Sequence, residues 1–220
     1  MSTPDNIVTQ PPWPTVTKGQ LMVYDDATNA TTPSRTIVFQ YNPETVRRSF
    51  AVRAPQHDAT QAGAAHQSVL SVPGPPVETI TLGVELDAGD QITDPALGSQ
   101  VNATGLYGAL AALELLLYPS SQTLRQIEQQ ADQGAVDVQP ADTPLVLLGW
   151  GNSRIVPVQL MSLTINEELF DPALNPIHAK VDLSLKVLTY MEFTQKSVGR
   201  ETFIAHQKTL EDLAQKWVGG

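Results

Sequence analysis

The chain has 220 residues, with 13 Lys and Arg against 23 Asp and Glu, so its formal net charge is −10 when histidine is neutral. Because so acidic a protein repels phosphate groups, we expect it to bind no nucleic acid and no membrane surface directly. The absence of cysteine excludes disulfides, thiolate catalysis and cysteine-ligated metal sites. The start of the chain has neither a basic nor an apolar leader, so we expect a soluble protein made in the cytoplasm.

The first part of the chain is predicted to be an arm followed by four strands. Residues 1–19 hold four of the 17 prolines and show no hydrophobic periodicity, which indicates a mobile or partner-ordered arm. Arg48 falls on the apolar side of the third strand, so it is expected at a strand end or in an ion pair. Residues 57–71 and 88–98 are predicted to be loops. The predicted strands are 20–25, 35–41, 45–54 and 79–87.

The middle of the chain is predicted to be helical. Four leucines recur along one helical face, which predicts a helix that begins near residue 102 and ends before Pro119. A second, weaker helix is predicted over residues 123–133. The four leucines are Leu106, Leu110, Leu113 and Leu117.

The last third of the chain returns to strands and ends in a helix. The apolar positions change phase within the second of these strands, which indicates a β-bulge. Residues 166–172 are predicted to form the bend that follows it. The terminal helix is predicted over residues 199–217. The three predicted strands are 145–151, 155–165 and 177–190.

This order of elements predicts the fold class. Because the strands do not alternate with helices, a doubly wound parallel sheet is not expected. We expect an α+β fold that is mainly antiparallel β, a barrel or sandwich with an internal helix and a C-terminal helix. The predicted organisation is a proline-rich arm over residues 1–19, a β-domain over 20–193, and a connector with the C-terminal helix over 194–220.

The sequence has no motif that is typical of an enzyme or a metal protein. Phosphate-binding glycine loops, an HExxH motif, an EF-hand loop and a nucleophile elbow are all missing. His57 and His66 flank Asp58, but two polar residues of a loop account for them better than a metal site does. The carboxylate pairs Asp25–Asp26 and Glu167–Glu168 point to opposite faces and suit acid–base catalysis poorly. We therefore expect no enzymatic activity, no cofactor and no metal.

The basic cluster of Arg47, Arg48 and Arg53 has two interpretations. It is either a salt-bridged strand surface or an interface that meets Glu85 and Asp87 of a neighbouring strand or subunit. These two carboxylates share the polar face of their strand, and we expect that face to be solvated or to lie between subunits.

Two further features are given structural interpretations. Trp150 follows a buried apolar run and is flanked by glycines, so we expect core packing rather than a ligand pocket. The terminal helix must bury its apolar side on its own domain or on a neighbouring component. We favour the neighbour, because the polar connector 194–199 lets the helix stand away. Its apolar residues are Phe203, Leu210, Leu213 and Trp217.

Several segments taken in order resemble one family, the N-terminal domain of contractile injection system tube-type proteins, which are baseplate and hub components of phage-tail-like particles. The resemblance covers about residues 35–190, and its most specific pieces are FQYNPETVRRSF and the bend EELFDPALNPIHA. The segments that carry it are residues 39–50, 78–87, 110–117, 147–151 and 165–179.

The resemblance implies a structural protein whose β-barrel or sandwich assembles with copies of itself into a ring, commonly a hexamer. Its implied partners are the inner tube protein, the spike or hub protein and other baseplate components. Assembly is expected in the cytoplasm, within a particle that is released or kept. The residues after Phe193 are too few for the LysM module that many members carry, so no peptidoglycan binding is expected.

The resemblance leaves three roles open: an adaptor between tube and hub, a tube initiator, and a tube cap. Two rivals from other classes are an enzyme and a carbohydrate-binding β-sandwich. An enzyme needs a polar pocket with a perturbed carboxylate or histidine. A carbohydrate-binding module needs an exposed aromatic platform, which Trp13, Trp150 and Trp217 are too far apart in sequence to promise.

Overall fold

The computed structural model of the protein describes residues 17–26, 31–53, 72–92, 98–132, 143–193 and 197–217. Its strands are β1 Gln20–Tyr24, β2 Arg35–Val38, β3 Val46–Ala51, β4 Val77–Asp87, β5 Leu145–Trp150, β6 Arg154–Phe170 and β7 Pro176–Val187. Its α-helices are α1 Ala88–Ile92, α2 Gly98–Thr104, α3 Tyr107–Glu114, α4 Ser121–Asp132 and α5 Val198–Lys216, and a 3-10 turn spans Tyr190–Glu192.

All seven strands belong to one antiparallel sheet, in the order β2-β1-β5-β6-β7-β4-β3. This confirms the predicted α+β, mainly antiparallel fold. β2 and β3 are the two edges of the sheet although they follow one another in sequence, so the residues between them must connect one edge to the other. The sheet therefore curls into an open, barrel-like layer. The barrel is not closed, because β2 and β3 do not pair with each other within the described chain.

The main core lies between one face of the sheet and α3. β4 alternates as predicted, with Ile80, Leu82, Val84 and Leu86 buried. β5 is buried along nearly its whole length, since both of its faces are covered. Large apolar side chains on one strand face supply most of the burial that stabilises such a sheet.

The predicted internal helix is divided into α2 and α3 by Gly105. This glycine has a φ of 58°, a conformation that favours glycine, and the next amide, that of Leu106, donates to the carbonyl of Pro176 at 2.8 Å. After Glu114 the chain tightens, with the Leu116 amide bonded to the Leu113 carbonyl at 3.1 Å. Leu116 is therefore buried in place of the predicted Leu117, which is exposed.

The predicted bulge in β6 is confirmed, because the register with β7 shifts between Leu160 and Ser162. The bend after it begins later than predicted, since β6 continues to Phe170. The turn is set by Asp171, whose Oδ1 accepts the amides of Ala173 at 2.7 Å and Asn175 at 2.9 Å. A short polar side chain that caps its own turn in this way fixes where the strand ends.

Three other predicted segments differ from the structure or lie outside the described residues. The third strand is shorter than predicted, and the guanidinium of Arg48 lies over the ring of Phe50, which is 56% exposed. Part of the predicted loop 88–98 forms α1. The predicted loop 57–71, with its two histidines, lies outside the described residues, as does nearly all of the arm.

Trp150 packs as predicted. Its ring lies 6.4 Å from the ring of Phe39, centroid to centroid, and a Cβ on Gly19 would approach the indole to 2.7 Å. We expect Trp150→Ala to lower the free energy of unfolding by about 3 kcal/mol, at the low end for an aromatic residue because the indole is only half-buried. Chemical denaturation of the isolated protein measures this, with the exposed Trp217→Ala as its matched control. Unchanged stability combined with loss of one binding partner would show a binding role instead.

Candidate assembly surfaces

Residues 39–45, which we call the edge connector, join the two edge strands and form hydrogen bonds to neighbouring elements. The Gln40 side chain pairs with the backbone of Asp87, donating to its carbonyl at 2.9 Å and accepting its amide at 3.0 Å. The Tyr41 hydroxyl donates to the carboxylate of Asp90. This hydrogen bond raises the pKa of Tyr41, because only the neutral phenol can donate. The edge connector thus holds the end of β4.

The same connector fixes the start of the described chain. Asn42 accepts the amide of Gly19 at 2.8 Å and donates to the carbonyl of Thr17 at 2.9 Å. The Phe39 amide donates to the Gly19 carbonyl at 2.9 Å. The edge connector belongs to the segment FQYNPETVRRSF. Its hydrogen bonds hold β1 and β4 on the two sides of the open barrel.

Two of the three clustered arginines form ion pairs within the chain. Arg48 on β3 donates from Nε to Glu78 on the adjacent β4 at 2.5 Å, and Glu78 is buried. Arg53 donates to Glu192 at 2.6 Å and to the carbonyl of Pro75 at 2.9 Å. The ion pair of Arg48 joins two adjacent strands, as expected, whereas that of Arg53 joins the residues after β3 to the 3-10 turn. Both pairs lie within the chain and fit the interpretation of the cluster as a salt-bridged surface.

Arg47 differs from the other two arginines. It is exposed and has no ion pair among the residues that the structure describes. It lies at a shallow polar depression of about 450 Å³, which it shares with Thr81 and Asp182. Of the basic cluster, Arg47 alone stays available to a neighbouring subunit, and its interface role remains a prediction.

Glu85 belongs to a row of ionisable side chains on the polar face of the sheet. Its Oε1 lies 2.9 Å from Nε2 of His178, whose Nδ1 lies 3.1 Å from Glu168. Lys180 donates to both oxygens of Glu168, at 3.1 and 3.2 Å. These hydrogen bonds from Lys180 are the main reason why the pKa of Glu168 lies below its ordinary value.

The predicted contact of the arginine cluster with Glu85 and Asp87 is not found: within the described chain, no ion pair joins these arginines to either carboxylate. Asp87 instead accepts the amide of Gly89 at 2.7 Å, at the start of α1. Sequence reasoning also missed His178, although the alternation along β7 places it on the same face as Lys180 and Asp182. The alternation could have identified His178 as part of this face. The β4–β7 register that places it beside Glu85 joins residues far apart in sequence, so the pairing itself could not be predicted.

The first half of α5 folds back onto its own domain. Ser197 caps the helix by accepting the Arg200 amide at 3.3 Å. Phe203 packs against the main core, and its ring lies 6.3 Å from that of Tyr190. His206 is only 7% exposed. Phe203, predicted as an interface residue, is thus part of its own domain.

The second half of α5 keeps its apolar side chains in solvent. Leu210 is 40% exposed, Leu213 48% and Trp217 83%. Helical spacing places the two leucines on the same side of the helix. The first half of the helix is therefore fixed to its own domain, the alternative that was not favoured, whereas docking of the exposed second half, called here the free half, on a neighbouring component stays a prediction.

A polar cluster lies beneath the fixed half of α5. His206 faces Glu78 of β4, Arg48 of β3 and Arg154 of β6, with the backbone of Ser153 beside it. Burial is the main cause that lowers the pKa of His206, and the two guanidinium groups add to it. Glu78 acts in the opposite direction but is already paired with Arg48.

We therefore expect the protein to lose stability as the pH falls. With a folded pKa below the ordinary 6.5, the unfolded chain binds more protons between the two values, so stability is complete above 6.5 and declines below it. The melting temperature should be lower at about pH 5.5 than at about pH 7.5, and His206→Gln should reduce that difference. An unchanged difference in the variant would show that other groups are responsible.

A cavity of about 660 Å³, which we call the α3 cavity, opens between the edge connector, the end of β4 and the internal helices. Its floor is apolar, and α3 contributes mainly small residues to one wall. Polar side chains surround its mouth. Floor and wall residues include Ile37, Phe39, Val84, Leu86, Gly108 and Ala112, and mouth residues include Lys18, Gln40, Tyr41 and Gln100.

The described part of the chain contains neither a group of metal-binding side chains nor a membrane-spanning helix. No three His, Asp or Glu side chains there are grouped so that they could hold a metal ion. None of the helices described has both the length and the apolar character that crossing a membrane requires.

The comparison with known proteins agrees with this geometry. No curated protein matches the sequence. A family model described as contractile injection system tube protein matches residues 15–195. The match takes in all seven strands, the edge connector and the internal helices, and it leaves α5 outside. The chain belongs to the family of contractile injection system tube proteins.

Proposed function

We propose that this tube-family protein is an adaptor ring, with a hexamer as the expected form, that joins the inner tube of a phage-tail-like particle to its baseplate hub or spike. Its role is assembly and not catalysis. Its partners are copies of itself, the inner tube protein, the hub or spike protein and other baseplate components. Assembly takes place in the cytoplasm, and the finished particle is released or kept.

The observation that carries this proposal is the free half of α5. A tube built from identical rings needs two complementary faces, whereas an adaptor also needs a surface for a different partner. The helix begins just beyond the family-matched residues 15–195 and presents Leu210, Leu213 and Trp217 to solvent. A surface of exposed apolar side chains at the end of a fixed helix is typical of a docking site.

The sheet supports the ring part of the proposal. β2 and β3 leave their outer backbone groups without a strand partner within the described chain. Unpaired edges favour pairing with another chain, and a closed ring satisfies every edge. Arg47 lies on the edge strand β3 without an ion pair among the described residues, so a neighbouring subunit can supply one.

The copy number in purified particles tests the proposal. An adaptor occurs in one ring, so its abundance measured by quantitative mass spectrometry should equal a small fixed multiple of the spike protein in every preparation. It should stay constant when particles with longer tubes are compared. Abundance that rises with tube length would show a repeated tube subunit, and absence from mature particles would show a transient initiator.

A further inference from the structure

The α3 cavity is large enough to hold a side chain or a short peptide segment. Its volume of about 660 Å³ lies within the ~300–1,000 Å³ that is typical of ligand pockets. On α3, Gly108 and Ala112 lie one turn apart and line the cavity, and the Gln100 side chain packs against Gly108, where an added Cβ would approach it to 2.8 Å. An apolar floor with polar groups at the mouth favours an amphipathic occupant.

The described chain begins at the mouth of this cavity. Asn42 holds Thr17 and Gly19 through two hydrogen bonds, so the backbone direction is fixed there. Lys18, between them, is one of the residues at the mouth. The residues that precede Thr17 therefore start within reach of the cavity, whatever path they take.

The chemistry of residues 1–16 suits such a site. Trp13 is their only aromatic residue, and Pro11, Pro12 and Pro14 surround it. Trp13 lies four positions before Thr17, a reach of at most about 14 Å in an extended chain. Proline-rich segments with restricted backbones dock in apolar grooves at low entropic cost. An indole fills an apolar floor while its N–H finds a polar group at the mouth.

We propose that the α3 cavity binds Trp13 of the same chain. The tether makes this an intramolecular contact with a high effective concentration, which favours the chain's own arm over free peptides. The contact covers the apolar floor of the open barrel next to β2. The inference is independent of the proposed adaptor role, because it concerns the isolated subunit.

The absence of native cysteine makes the proposal directly testable by cross-linking. A disulfide requires Cα atoms within about 7 Å, so Pro14→Cys combined with Ala112→Cys in the full chain should oxidise to an intramolecular disulfide. Pro14→Cys with Ala111→Cys is the matched control, because Ala111 is exposed on α3 and does not line the cavity. Melting of the reduced variants shows that each is folded.

The expected result is a fast cross-link from position 14 to position 112, little to position 111, and a loss of about tenfold in rate when Trp13→Ser is added. Equal cross-linking to both positions, or none to position 112, would overturn the proposal. Disulfide-linked dimers in place of monomers would also overturn it, because they show that the arm of a neighbouring copy fills the cavity.

Discussion

Truncation after Thr209 is expected to abolish incorporation into particles while the isolated protein keeps its melting temperature. The deletion removes Leu210, Leu213 and Trp217, which contribute little to the subunit because they are exposed. Burying three fully exposed side chains contributes about 4.5–9 kcal/mol before ordering costs, at about 1.5–3 kcal/mol each, and this is an upper bound here because Leu210 is 40% and Leu213 48% exposed. Co-purification with particles, together with thermal melting of the isolated protein, measures both effects.

Two controls make this truncation informative. Leu213→Ser with Trp217→Ser should reproduce the assembly defect, whereas Gln215→Ser on the same segment should not. Truncation after Val198 also removes Phe203 and should lower the melting temperature, since that ring packs on the core. Normal incorporation of the chain truncated after Thr209 would contradict the docking role of α5.

Breaking the ion pair between Arg48 and Glu78 is expected to have the second large effect. Arg48→Met leaves the Glu78 carboxylate buried without its partner at 2.5 Å. An orphaned buried charge costs about 3–5 kcal/mol, and we expect the low end because the Arg48 side chain is 25% exposed. Urea denaturation of the isolated protein measures the loss.

A double variant distinguishes the cost of the unpaired Glu78 carboxylate from other effects of the substitution on β3. Arg48→Met with Glu78→Met replaces both charges with apolar groups of similar length, so most of the lost stability should return. Arg47→Met, one residue away on the exposed face, should change stability by less than about 0.5 kcal/mol. Losses in the two single variants that simply add in the double variant would show that the pair is not coupled.

Local patterns predicted the parts of the fold that depend on local chemistry. The strict alternation from Ile80 to Leu86 defined β4, and the phase change near Met161 predicted the bulge in β6. The order of strands and helices predicted an antiparallel α+β fold. These features follow from side-chain periodicity, which is contained in a few neighbouring residues.

Other features depend on contacts between distant residues. The helix breaks at Gly105 because the following amide bonds to Pro176, a strand start far along the chain. The alternation leaves Arg48 either at a strand end or in an ion pair, and only the β3–β4 register places Glu78 beside it. The division of α5 between a fixed and a free half likewise depends on where β6 lies. Sequence periodicity gives no information on such pairings.

We propose that this tube-family protein occupies one level of the particle, between the inner tube and the hub. Cryo-electron microscopy of intact particles that carry a tag on the exposed end of α5 tests it most directly. We expect tag density at a single ring where the tube meets the hub, on the hub side of that ring. Tag density repeated along the tube, or confined to its far end, would contradict it.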